Sequence, residues 1–231
     1  MKRRFITLLM VFVLCFSLFP TQAFAWKNLT HVNSADIILL EMERSEKQSG
    51  SASVELAGKS YAVPKEFRDA LFAYPDAFRA GSMGPDFYPD IVTGQMFIHP
   101  YDSAKNIGSG EWITLLCDSL NKMPKDSEER KEALAFTLGV MLHYCGDLFG
   151  HDFINAFSGG AYPSLTDVKY TDPSDKNLNY ILSHMAEEAY MDSLVNWGFY
   201  NNADYLNAKA PLQFVTIIDS ASSSSIPLEV K

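Results

Sequence analysis

Residues 127–157, SEERKEALAFTLGVMLHYCGDLFGHDFINAF, read as one long helix with acidic residues in its first turn and an interruption expected near Gly150. Inside it, His143, Asp147 and His151 follow one another at steps of four. Four residues of α-helix turn about 400°, so each side chain sits about 40° from the last. The three therefore form one polar stripe, whose imidazoles and carboxylate are the donor types of a transition-metal site. With His143 at the origin of the wheel, Met141, Cys145, Leu148 and Phe149 fall at about 140–240°, the opposite side. Gly139, Gly146 and Gly150 fall beside the stripe, at about −60° to −20°. Each glycine costs roughly 1 kcal/mol against alanine, so three on one strip imply close packing or ligand access. The pattern predicts a central, buried helix with Cys145 as an inert core thiol.

No run of strands surrounds this helix, and the predicted fold is all-α: a single, mainly helical domain over 26–215. Helices are expected at 31–46, at 64–82 with a break near Pro75, at EWITLLCDSLNKM and at 177–200. A polar loop, 49–64, has the alternation of a small hairpin around Gly58. MGPDFYPDIVTGQMFIHPYDS, rich in proline and glycine, reads as loop. Residues 216–231 are a Ser-rich, linker-like tail.

Residues 1–25 have the anatomy of a secretory signal peptide: MKRR, the apolar FITLLMVFVLCFSLF, and Ala23 and Ala25 at a cleavage site. Cleavage after Ala25 makes Trp26 the first residue of a secreted, extracellular chain with no transmembrane segment. It removes Lys2, Arg3 and Arg4 and no acid, taking the net charge from −9 to −12. That acidity disfavours nucleic acid as a partner. Two cysteines remain, Cys117 and Cys145; they could pair after export but make no disulfide framework.

The other histidines extend the pattern. His184 precedes Glu188 by four residues on a predicted helix. His99 lies in the loop, thirteen residues after Asp86, and His31 lies five after Trp26. In order, W…TH, GPDF, FIHP, HYCGD…H and HMAEE resemble the bacterial zinc-dependent phospholipase C family, from Trp26 to Glu188. The resemblance implies two to three Zn2+ ions in a cleft. One would take Asp86, His99, His143 and Asp147. A second would take His151, His184 and Glu188. A third would take the amine and carbonyl of Trp26, with His31 and a shared Asp147. The chain departs from the phospholipase C pattern in its H-x3-D-x3-H spacing, where those members have H-x3-D-x5-H with a proline before the last histidine. The shorter spacing resembles the glycosylphosphatidylinositol-specific phospholipase D branch. Only 43 residues follow Glu188, fewer than the resemblance leads one to expect.

The expected function is a secreted zinc phosphodiesterase, a phospholipase C that attacks phospholipid headgroups at a membrane surface through an activated water. Asp86 would ligate, orient the water or act as its catalytic base. Phe87, Tyr88 and Phe97 would line a headgroup pocket or serve as core aromatics. The related alternatives are a three-zinc single-strand nuclease and a phosphomonoesterase. The alternative from another class is a non-catalytic secreted protein whose zinc serves stability.

Overall fold

The computed structural model describes residues 28–84, 110–160, 167–199 and 209–211. These form six helices and one hairpin: α1 (Asn28–Ser49), β1 (Ser53–Leu56), β2 (Lys59–Ala62), α2 (Lys65–Ala73), α3 (Pro75–Met83), α4 (Gly110–Asn121), α5 (Glu128–Ser158) and α6 (Lys176–Phe199). The mainly helical fold agrees with the sequence pattern. The predicted signal peptide, the loop carrying Asp86 and His99, and the Ser-rich tail lie outside the described residues.

Local chemistry explains the boundaries. Ser127 caps α5 by accepting from the Arg130 N–H at 3.1 Å, and Glu128 and Glu129 lie in the first turn, where the helix dipole favours negative charge. Gly159 closes the helix in the left-handed conformation, φ 91°. Pro75 sits at the first position of α3, and Tyr74, at φ −131° and ψ 56°, separates α3 from α2. The hairpin turns through Ala57 and Gly58, both at positive φ, and pairs Leu56 with Lys59. Ser45 Oγ in α1 ties it down, accepting from the Ser53 N–H at 2.7 Å.

α5 runs unbroken through Gly150 and touches each of the other described helices. Its first half lies in an apolar core: Ala133, Leu134, Ala135 and Val140 pack with Leu39 and Met42 of α1, Leu71 of α2, Phe78 of α3 and Leu116 of α4. The second half is different. There the buried positions are Asp147, Gly150, Ile154 and Ser158, while Leu148, Phe149, Phe153 and Phe157 are exposed. The expected burial of the apolar far side is thus corrected. In this half α5 packs through its polar stripe, so the opposite side faces out, and Cys145 is an exposed thiol. Cys145 and Cys117 are both free. α5 is long and apolar enough to cross a membrane, but half of that span is buried in the protein, as suits a core helix.

Two of the glycines work through close approach. A Cβ on Gly139 would overlap the Phe78 carbonyl, and one on Gly81 would overlap the Phe136 carbonyl. α3 and α5 therefore cross with their backbones nearly touching. A Cβ on Gly146 would meet only the His31 ring, at 3.5 Å, an ordinary contact. Gly139→Ala is accordingly expected to cost about 3 kcal/mol by overpacking against backbone. Gly146→Ala should be neutral or slightly stabilising, since alanine is the better helix former. Urea denaturation of both variants checks this; equal midpoints would contradict the crossing.

Candidate metal centre

The crossing of α3 and α5 sets up the first functional side chain. Carbonyls in the last turn of a helix lack intrahelical partners. One of these, from Ser82 in α3, accepts from His143 Nδ1–H at 2.9 Å, with both residues fully buried. This fixes the tautomer and directs Nε2 away from α3, toward Asp147 one turn along α5. His143 Nε2 lies 2.9 Å from Asp147 Oδ2. From α1, His31 Nε2 reaches the other oxygen, Asp147 Oδ1, at 3.3 Å. The two imidazoles stack, with centroids 4.0 Å apart and planes inclined by 25°.

Burial, and then the neighbouring His143, push the His31 pKa down to about 4; hydrogen bonding and charge attraction to Asp147 oppose this incompletely. At neutral pH its imidazole is therefore uncharged, the form that ligates metal.

The second half of the site lies between α5 and α6. His184 Nε2 is 2.7 Å from Glu188 Oε1, and His151 Nε2 is 3.8 Å from the same oxygen. His184 and Glu188 are buried, at 2 % and 1 % exposure. The His151 side chain is 35 % exposed, which makes it the open side of the site. It also joins the two halves, since its Nε2 lies 4.0 Å from Asp147 Oδ1.

Two groups result: His31, His143 and Asp147, and His151, His184 and Glu188. Within each, one donor atom per residue can be chosen so that all lie within 4.8 Å of one another. Ligands of a tetrahedral zinc at about 2.1 Å are separated by about 3.4 Å, so the pairwise distances suit a shared ion. Imidazole nitrogen and carboxylate oxygen suit zinc chemically. Buried carboxylates such as Asp147 and Glu188 also need a compensating positive charge.

The donor set acquires an identity from a comparison of sequences. A family model, zinc dependent phospholipase C, matches residues 54–221. The chain belongs to that family. No curated protein and no solved structure matches it. The zinc-dependent phospholipase C match begins after α1, so His31 lies ahead of it; the fold nonetheless brings His31 onto Asp147.

Of the nine residues singled out in the sequence, the structure gathers His31, His143, Asp147, His151, His184 and Glu188. Trp26, Asp86 and His99 lie outside the described residues. The sequence reading missed the Ser82 carbonyl, which has no side-chain signature, and Asp192, a buried carboxylate one turn beyond Glu188.

An ion held across α1, α5 and α6 would couple its binding to the stability of the fold. A chelator is expected to lower the Tm of the zinc-loaded protein by about 10 °C, the shift produced by an ion present at about 1,000 times its Kd. Thermal melts with and without chelator read this directly, and coincident curves would remove the two groups as metal sites.

Proposed function

We propose that the protein is an exported zinc-dependent phospholipase C that hydrolyses the phosphodiester between diacylglycerol and a phospholipid headgroup. One observation carries the reading: in a chain of the zinc-dependent phospholipase C family, two His–carboxylate groups adjoin at Asp147 and His151, and of their six described residues only His151 is open to solvent. Adjacent cation sites suit a phosphate, whose oxygens can be held from both sides.

Each residue has a part in this scheme. His31, His143 and Asp147 hold one ion, with Asp86, His99 and the Trp26 amine and carbonyl completing or dividing that group. His151, His184 and Glu188 hold another. Zinc in these positions supplies positive charge to the phosphate and acidifies a water toward neutral pH. Ser82 keeps the His143 lone pair aimed inward, and burial keeps His31 uncharged. Substrate approaches from the His151 side, and Asp86 orients or deprotonates the attacking water. The signal-peptide pattern of residues 1–25 supports export, and Trp26 gains its ligating amine only on cleavage.

The test is an assay of the processed protein with zinc against phosphatidylcholine, phosphatidylinositol, single-stranded DNA and a simple phosphate monoester. Phospholipid hydrolysis is expected; turnover of DNA or monoester alone would replace the reading with its nuclease or phosphatase relative. His143→Ala and Asp147→Asn should fall to the level of zinc-stripped protein, and Cys145→Ala, whose thiol faces solvent, should stay at wild type. A form extended by one residue before Trp26 should lose zinc and activity, because an amide nitrogen with a delocalised lone pair is a poor ligand. Trp26→Phe should lose less. Full zinc and activity in the extended form would exclude ligation by the N-terminus.

A further inference from the structure

α6 continues its own stripe past the metal-ligating group: His184, Glu188, then Asp192, again at steps of four. Asp192 is 4 % exposed but belongs to neither metal-ligating group among the described residues. Its Oδ1 instead accepts two bonds from α1, the Thr30 N–H at 2.8 Å and the Thr30 hydroxyl at 2.7 Å. Thr30 is itself buried, at 6 % exposure. The two residues stand 162 positions apart in the chain.

The chemistry of this contact is specific. The N–H groups of the first helical turn have no intrahelical acceptor, and the positive end of the helix dipole lies there. A cap is ordinarily a neighbouring side chain; here it is a carboxylate from another helix. Charge-assisted bonds of this type are roughly twice as strong as neutral ones. The next residue after Thr30 is His31, whose Nε2 meets Asp147 Oδ1. The depth and rotation at which α1 enters the site therefore depend on where Asp192 holds Thr30.

The structure assigns Asp192 as a positioning residue: it anchors the first turn of α1 so that His31 is held against Asp147. This rests on the zinc reading of the His31, His143 and Asp147 group for its functional consequence, but the anchoring itself does not. His184 and Glu188 point from the same helix into the other group, so α6 acts on both: by ligation in one, and through the amino end of α1 in the other.

Two measurements on the processed, full-length chain test it. The first uses zinc-free protein and diethylpyrocarbonate, with modification mapped histidine by histidine. In Asp192→Ala, His31 is expected to react about tenfold or more faster than in wild type, with His143 and His184 unchanged. Asp192→Asn keeps an acceptor oxygen and should recover most of the protection. Thr30→Val keeps the N–H and loses the hydroxyl, and should fall between. The second is zinc titration. Asp192→Ala should weaken the equivalent that depends on His31 by 10–100-fold, the usual cost of losing an outer-shell partner. The equivalent held by His151, His184 and Glu188 should stay.

Unchanged His31 reactivity in Asp192→Ala would overturn the assignment. So would a uniform rise at all three histidines with loss of the cooperative melt, and so would equal weakening of both zinc equivalents, since each describes a merely structural contact. If Asp192→Ala fails to fold, Thr30→Val and Asp192→Asn carry the same comparison. A wild type that binds no zinc would refute the metal reading, while the modification pattern would still decide the anchor.

Discussion

Asp147 is buried with an imidazole on each of its oxygens, His143 on one and His31 on the other. A carboxylate out of water is costly unless charge and hydrogen bonds compensate it. Much of the architecture answers to that requirement. α1 delivers His31, α3 holds His143 through the Ser82 carbonyl, and α5 carries Asp147 itself. His151 then links this cluster to the pair on α6. The contact of the backbones at Gly81 and Gly139 belongs to the same account, because it sets the separation at which a carbonyl of α3 can meet a ring on α5.

The helices and the stripe were legible in the sequence because both depend on short-range periodicity. Steps of four on a proline-free run put His143, Asp147 and His151 on one face whatever surrounds them. The same arithmetic gave His184 and Glu188. His31 could be joined to them only through the resemblance, since no periodicity relates α1 to α5. The environment of the opposite face was illegible for a physical reason. Periodicity says which residues share a face and not which face is inside, and the reading placed the apolar side there. In the second half of α5 the His–Asp stripe is inside, so Cys145, Leu148 and Phe149 are outside. Contacts made by main-chain atoms, such as that of Ser82, leave no trace in residue type.

Polar and apolar burial are therefore segregated along a single helix. Before about residue 140, α5 is held by aliphatic and aromatic packing from four other helices. After it, titratable groups dominate the buried seam: His143, Asp147, His184, Glu188 and Asp192, with His31 from α1. Apolar packing is non-directional, whereas charge-assisted hydrogen bonds require fixed distances and angles. The first half provides a rigid mount, and the second half holds the donors in place.

This division of α5 separates two demands on assembly. Collapse of the apolar half is driven by the removal of apolar surface from water and needs no directed contact. The other half closes over Asp147 of α5 and Glu188 of α6, which cost free energy once buried unless charge or hydrogen bonds compensate them. Leu148, Phe149, Phe153 and Phe157 stay exposed on the outer side of α5 in the closed chain. A partly closed chain with apolar surface exposed is the species most open to aggregation. Any delay in docking the inner seam therefore leaves it open beside an outer face that is already apolar.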